Sequence, residues 1–350
     1  MACRAPIAAE PRSPLLALHN SGRRRHGDVV AMDPPSSARY SADTMAPPTL
    51  ILHQYDTSPF SEKIRTIFGH KRLRWAAVEQ PSVMPKPDLL PLTGGYRRIP
   101  VLQIGADIYC DTQVIVREIE RRHPEPTLYP SGQRGTAQAW NLWADRLVFL
   151  PVVAAVFAEI GQFVPQSFID DRTKMMPGRR FEDLPQQAPH AREQLRSLFA
   201  MLDAQLSDGR PFLLGPSFSL ADAACYHPLW FLRVAPLTSA VLAAFDHIGP
   251  WQARIDALGH GERVPMTPAE ALTVAQASSP AEPLPSAPHE PNGRTVGEAV
   301  TVTPDDYGFD PVAGTITHCS ADTISIRRSG PGGHPLVVHF PRFGFRVQPD

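Results

Sequence analysis

The stretch LILHQYDTSPFSEKIRTIF, residues 50–68, places an apolar run, a short turn and an amphipathic helix in immediate succession. The run LILHQ is apolar enough for a buried strand. Apolar residues then recur at spacings of three and four, which predicts a helix over 59–71 that begins at the Ser58-Pro59 pair. A buried strand that leads through a serine turn into a helix indicates a layered α/β unit.

The residues that follow continue this alternation of strands and helices. A strand is predicted over 74–80, then a short helix near 86–92. The run IPVLQIGADIYC, residues 99–110, reads as two strands joined at Gly105-Ala106-Asp107, which is a hairpin signal. DTQVIVREIERR, residues 111–122, is a helix with an acidic start and a basic end. The predicted order is β-α-β-α-β-β-α.

The second unit, residues 131–276, is predicted to be entirely helical. A long helix over 134–162 should be kinked at Pro151, because proline lacks the N–H of the helical ladder. Ser219 followed by Asp222 predicts an acidic variant of the capping box. Another helix carries an apolar stripe of period 3.6 that consists of Leu195, Leu198, Phe199, Leu202 and Leu206.

Both ends of the chain differ from these units. Residues 1–46 have no usable periodicity and are predicted to be a disordered extension; their acidic residues argue against a transit peptide, and Met45 is a candidate translation start. Residues 277–293 are a Pro/Ala/Ser linker. Residues 294–350 hold five short β-rich runs separated by turn signals, which predicts a small all-β barrel or sandwich.

Composition narrows the class of partner. A formal net charge of −1 over 350 residues provides no global field toward nucleic acid or an anionic membrane, and neither is expected as a partner. No uninterrupted apolar run reaches the roughly 18 residues of a membrane span. The four cysteines are far apart and form no CxxC pair, so we expect neither a metal site nor a disulfide framework. Reduced thiols indicate a cytoplasmic protein.

Four motifs in the region 49–258 resemble those of the glutathione S-transferase family. SPFSEKIR falls where the family has its active-site turn and first helix, and RRIPVL where it has a cis-proline. CDT precedes the third helix, and SLADAACY matches the capping motif of the helical domain. The resemblance implies a thioredoxin-like α/β domain over 47–130 followed by an all-α domain over 131–276. It leaves the small β unit at the C-terminus unexplained.

The resemblance places the catalytic residue at Ser58, as in the serine-using cytosolic classes, of bacterial type. A free thiol has a pKa of about 8.5, and lowering it by about two units requires roughly 2.7 kcal/mol in favour of the anion. One hydroxyl hydrogen bond to a charged group supplies about 1.5–3 kcal/mol, and a helix N-terminus adds about 0.3–1 kcal/mol. Ser58 before Pro59 is also an ordinary helix cap.

The resemblance also implies a binding site for glutathione as co-substrate, without a metal. The backbone of Ile99, beside a cis Pro100, would pair with the extended tripeptide. The Asp111 carboxylate would accept from the α-ammonium group, while Thr112 and the helix amides would bind the adjacent carboxylate. Asp and Thr at this place are also ordinary helix caps.

The remaining candidates are residues that would contact the glycyl end of glutathione or the electrophile. Arg98 could contact the glycyl carboxylate of glutathione, and Lys86 is a weaker candidate for the same role. The pocket for a small-molecule electrophile should lie between the domains, with four residues as candidate lining: Tyr55, Trp140, Trp143 and Arg146. Tryptophans three residues apart can equally belong to a helical core.

Three functions follow as hypotheses. The first is a glutathione transferase of detoxification type that conjugates the thiolate to an electrophile. The second is different glutathione chemistry on the same fold, such as isomerisation or reductive dehalogenation. The third is a non-catalytic binding or stress module. The resemblance implies a homodimer in all three.

Overall fold

A computed structural model of the chain describes residues 49–287 and 290–350, so the predicted extension 1–46 lies outside the described residues. The first domain has the predicted element order, and β1 pairs in parallel with β2 and antiparallel with β3. Its elements are β1 (Ile51–Gln54), α1 (Pro59–His70), β2 (Arg74–Glu79), α2 (Leu90–Thr93), β3 (Val101–Ile104), β4 (Asp107–Cys110) and α3 (Thr112–Arg122). This is a thioredoxin-like domain.

The second domain is helical, and its helices before residue 257 pack on α1 and α3 through one apolar core. The stripe predicted around Leu195 faces that core, since Leu195, Phe199, Leu202 and Leu206 are all buried. The last helix, Pro268–Gln276, packs instead on the sheet, where Ala271 contacts the cluster of Ile51 and Val78. The helices are α4 (Arg134–Trp143), α5 (Phe149–Ile160), α6 (Gln166–Met175), α7 (Leu184–Leu206), α8 (Leu220–Phe231), α9 (Pro236–Ser239), α10 (Ile248–Asp256) and α11 (Pro268–Gln276).

Near Pro151, where a kink is predicted, the structure has a π-helical turn, Ala144–Val148, between α4 and α5. Pro151 has no N–H to donate to the carbonyl four residues earlier, and the wider turn lies where the regular ladder is interrupted. Asp145 and Arg146 belong to this turn. The π-helical turn therefore sets the direction of two charged side chains that reach the space between the domains.

The run Arg134–Phe163 is, among the described residues, the one helical stretch that could cross a membrane by length and composition. Its most apolar window has a mean hydropathy of 1.6 and is 33% buried in the fold. In the structure its helices pack on α7 and α8, and it contains the ion-paired Asp145. The contacts it makes are those of an element of the helical domain.

The capping box predicted at Ser219 is present and extends further than a cap. The backbone N–H and the hydroxyl of Ser219 both donate to Asp222 Oδ2, at 2.9 and 2.6 Å. Asp222 Oδ1 accepts from the backbone N–H of Leu213 at 2.8 Å and from Trp251 Nε1 at 2.9 Å. This fully buried carboxylate thus connects α8 to α10 and to the segment before α8.

The C-terminal strands form the predicted all-β unit, but they extend the sheet of the first domain and do not form a separate barrel or sandwich. Strand β9 runs parallel to β4, with Tyr109 opposite His339. The sheet has ten strands in the order β10-β6-β7-β8-β9-β4-β3-β1-β2-β5. The added strands are β5 (Glu262–Pro265), β6 (Ala299–Pro304), β7 (Val312–Cys319), β8 (Thr323–Ser329), β9 (Pro335–Pro341) and β10 (Phe345–Pro349).

Two physical terms favour this arrangement. Strand β9 satisfies hydrogen-bonding groups of β4 that would otherwise form an open sheet edge. A second apolar cluster then buries residues of the first domain, such as Leu92 and Tyr96, against Val302 and Ile326 of the added strands. Strand β5, which lies within the region predicted to be helical, adds to the opposite edge next to β2.

Candidate active site

Ser58 is the N-cap of α1 and lines a cavity between the two domains. Its Oγ accepts from the backbone N–H of Ser61 at 3.2 Å, and the residue is 2% exposed. In residues 49–287 and 290–350 the Ser58 hydroxyl has no acceptor for its own proton. The oxygen therefore acts as a helix cap while its proton stays available to an anion in the cavity.

The Ile99–Pro100 peptide bond is cis, as the family resemblance implies. It immediately precedes β3, and Ile99 lines two adjoining cavities. The large cavity, of about 260 Å³, also contains Ser58 in its wall. The small cavity, of about 40 Å³, is lined by Pro100 and by the start of α3. Ile99 thus lies where an extended ligand would pass from one cavity to the other.

Asp111 and Thr112 lie together in the wall of the small cavity. Asp111 caps α3, and its Oδ1 accepts from the backbone N–H of Gln113 at 2.9 Å. Burial raises the pKa of the Asp111 carboxyl, and this hydrogen bond and Arg98 oppose the shift. Asp111 thus caps α3 through Oδ1, and its second carboxylate oxygen stays available to a ligand.

A buried chain of polar groups that the sequence did not reveal supports Thr112. Lys63 Nζ donates to Thr112 Oγ1 at 3.3 Å and to Asp145 Oδ2 at 2.8 Å. His227 Nε2 contacts Asp145 Oδ1 at 3.0 Å. Burial alone would raise the pKa of Asp145, but Lys63 and His227 outweigh it and lower that pKa. A carboxylate in the helical domain thus fixes a lysine beneath Thr112 of the first domain.

Lys86 is a cation in the wall of the large cavity that forms no ion pair within the described residues. The residue is 3% exposed, its Nζ lies 5.8 Å from the centre of the Tyr55 ring, and this amine forms no hydrogen bond within the described residues. Burial, aided by the charges of Arg172 and Arg97, lowers the pKa of Lys86 to about 7. These two arginines share a single carboxylate, that of Asp171. An anionic ligand group would balance the excess positive charge.

The predicted lining of the electrophile pocket is only partly brought together. Tyr55 lines the large cavity. Trp140 and Trp143 line neither cavity; their rings lie 5.1 Å apart and pack on the helical core. Arg146 lines the small cavity instead of the large one. The apolar wall of the large cavity includes three residues of α5 at a spacing of four, namely Phe149, Val153 and Phe157.

The C-terminal strands contribute residues to the site, and these residues lie at one of the turn signals between the predicted β-rich runs. Asp306 and Tyr307 follow β6 and line the small cavity, and Tyr307 lines the large one as well. Arg98 donates to the Asp306 carboxylate and to the Tyr307 carbonyl. Its guanidinium carbon lies 3.8 Å from the centre of the Tyr307 ring. No local sequence signal marks a contact between residues so far apart in the chain.

Comparison with known proteins assigns the chain to a family. Residues 52–127 match the description "Glutathione S-transferase, N-terminal domain", and residues 185–254 match "Glutathione S-transferase, C-terminal domain". A GST-like protein from Pseudomonas syringae, known from its crystal structure, is 36% identical with a TM-score of 0.73. That alignment covers 86% of this chain and 99% of the other. The chain therefore belongs to the glutathione S-transferase family.

Two other solved structures are less similar. A glutathione S-transferase from Rhodospirillum rubrum F11 is 19% identical with a TM-score of 0.48, over 59% of this chain and 88% of that one. The beta-etherase LigF from Sphingobium sp. strain SYK-6 is 17% identical with a TM-score of 0.49, and its alignment covers 60% of this chain and 95% of its own. No curated protein matches the chain. Within the described residues, no group of three or more side chains is suited to hold a metal ion.

Proposed function

We propose that the protein is a glutathione transferase in which Ser58 stabilises the glutathione thiolate. The observation that supports this most directly is the hydrogen bonding of the Ser58 hydroxyl. Its oxygen accepts the helix-cap hydrogen bond, and its proton is not donated to any of the described residues. It stands at the positive end of α1, where an anion is favoured by the unpaired amides. Both effects act on the same sulfur.

The chemistry requires only this chain, glutathione and an electrophile. The thiol loses its proton to solvent, and the thiolate sulfur forms a bond to the electrophilic carbon. The electron pair of the bond that breaks leaves with the leaving group, or moves onto the substrate when the reaction is an addition. The role of Ser58 is to raise the fraction of thiolate near neutral pH, since the thiolate is the nucleophile.

The remaining contacts orient the peptide. Ile99 offers its backbone to the extended ligand, and Asp111 would accept from the α-ammonium group. Lys86 provides a cation for the glycyl carboxylate. The apolar wall of α5 faces these polar groups across the large cavity, and it would hold the electrophile. In this assignment Arg146, Trp140 and Trp143 are not part of the electrophile pocket.

Turnover and binding together test the proposal. Ser58→Ala should lower kcat/KM for glutathione and a generic chloronitroaromatic electrophile roughly ten- to hundredfold, because a bond of about 1.5–3 kcal/mol to the sulfur anion is lost. Binding of S-methylglutathione, which has no thiol, should stay nearly unchanged. Ser58→Thr keeps the hydroxyl and should recover most of the activity. Turnover that does not respond to Ser58→Ala contradicts the role.

The family resemblance also supports two coarser proposals, that the protein is cytoplasmic and that it forms a homodimer. Light scattering coupled to size-exclusion chromatography would measure the assembly. A mass equal to that of one chain over the concentration range used for activity would reject the dimer.

A further inference from the structure

We propose that Asp306, supplied by the C-terminal strands, competes with a carboxylate of glutathione and so sets the affinity of the site. The inference rests on the proposed function for the identity of the ligand. It concerns residues outside both matched family domains, in the loop of residues 305–311 between β6 and β7.

The Asp306 carboxylate joins the two domains. One oxygen accepts from Arg98 of the first domain, and the other accepts from Arg146 Nη1 of the π-helical turn at 2.8 Å. Carboxylate–guanidinium bonds of this kind are the ones that an anionic ligand would form. Arg98 is 7% exposed, and its Nε is buried with no partner among the described residues. Asp306 thus takes the place of a ligand carboxylate at both arginines.

The loop is anchored across the cleft between the two domains. The backbone N–H of Gly308 donates to the Met175 carbonyl at the end of α6, at 2.7 Å. The backbone N–H of Asp305 donates to the Gly344 carbonyl at 3.0 Å. Gly308 has a φ of +57°, and a Cβ there would lie 3.2 Å from Met175 Cε. These contacts hold Asp306 over the small cavity.

The space left beneath the loop is too small for part of a peptide ligand. The small cavity measures about 40 Å³ and is walled by Asp306 and Tyr307 opposite Asp111 and Thr112. One water needs at least about 10–15 Å³ measured in this way, so the space holds a few waters but not a glutamyl group. A ligand that reaches Asp111 must therefore displace Asp306.

Displacement lowers the apparent affinity without altering the contacts of the bound state. If the ligand binds only when the loop has moved, the apparent Kd equals the intrinsic Kd divided by the fraction of open molecules. Breaking the bonds from Arg98 and Arg146 to Asp306 is part of that cost. The Asp306 side chain is 25% exposed, so it can move into solvent without unfolding the core.

Calorimetry with glutathione and with S-methylglutathione tests the proposal on the full chain. Asp306→Asn keeps the shape and removes the negative charge, and it should tighten binding of both ligands about tenfold. Asp310→Asn removes a charge from the same loop at a half-buried residue whose side chain forms no hydrogen bond or ion pair within the described residues, and it should leave binding unchanged. Asp306→Ala should act like Asp306→Asn.

Weaker or unchanged binding in Asp306→Asn overturns the proposal, because a residue that completes the site cannot also compete with its ligand. Tighter binding together with no conjugation of any electrophile keeps the proposal and rejects the proposed transferase activity. Binding of neither ligand by the wild-type chain or by Asp306→Asn rejects both. The two conclusions can thus fail separately.

Discussion

The rings of Tyr109 and His339 stack 4.3 Å apart, within 9° of parallel, where the first domain's sheet meets the C-terminal strands. His339 also connects three neighbouring strands. Its Nε2 contacts Asp107 Oδ1 on β4 at 2.9 Å, and its Nδ1 contacts Ser325 Oγ on β8 at 2.8 Å. A neutral ring that donates to the carboxylate and accepts from the hydroxyl satisfies both contacts. The junction is therefore held by specific polar bonds as well as by backbone pairing.

Removing this ring should loosen the junction. His339→Ala leaves the buried Asp107 and Ser325 without their partner, and such a loss costs about 1–3 kcal/mol. Urea unfolding would measure the change in free energy. His334→Ala, at an exposed position in the segment before β9, is the matched control and should change stability little. Equal effects of the two substitutions would contradict a structural role for the His339 contacts.

Replacing the buried carboxylate of Asp222 should destabilise the protein far more than replacing an exposed acid. Asp222→Ala leaves the N–H groups of Leu213, Ser219 and Trp251 without an acceptor, and we expect a loss of at least about 3 kcal/mol. Glu182→Ala, in which the replaced side chain is 65% exposed, should cost little. Thermal or urea unfolding measures both. A small loss for Asp222→Ala would mean that these amides find other partners.

The pairing of Asp145 with Lys63 predicts a dependence of stability on pH. The pKa of Asp145 is lowered in the folded protein, so its contribution is present above the unfolded value of 3.8 and is lost as pH falls through the folded pKa. Asp145→Asn should therefore destabilise the protein at neutral pH, by up to about 3–5 kcal/mol. The difference from wild type should shrink in acid. A difference that is constant with pH would contradict the ion pair.

Lys86 predicts a pH dependence of ligand binding. Because its pKa is lowered to about 7, the ammonium form is present below that pH and is lost above it. Binding of S-methylglutathione, which has no thiol to ionise, should weaken as pH rises through about 7. Calorimetry at a series of pH values measures this, with Lys86→Met as the control in which the step is absent. The same step in both proteins would assign it to another group.

The structural features that could be predicted from the sequence are those that depend on local patterns of residues. The spacing of apolar residues around Ile64, the hairpin at Gly105 and the cap at Ser219 all depend on neighbours within a few residues. The cis bond before Pro100 came from the family resemblance and is present. These features place Ser58, Ile99 and Asp111 around adjoining cavities.

What the sequence did not predict depends on distant contacts. Asp306 lies 208 residues from its partner Arg98, so no periodicity connects them. The apolar C-terminal runs are compatible with a barrel, a sandwich or an extended sheet, and only the free edge of β4 decides among them. The π-helical turn between α4 and α5 shifts the register of the two helices, so the face of α4 that carries Trp140 and Trp143 does not continue into the face of α5 that lines the large cavity.

The parallel pairing of β4 with β9 has a consequence for synthesis of the chain. Asp107 lies opposite Val337, so the ribosome must produce the intervening residues before the edge of β4 can be covered. Until then, apolar groups such as Leu89, Leu92 and Tyr96 lack the partners that bury them. Domains begin to fold as they emerge, N-terminal first. The nascent chain therefore exposes the unpaired edge of β4 from the time that β4 is made until β9 has been made.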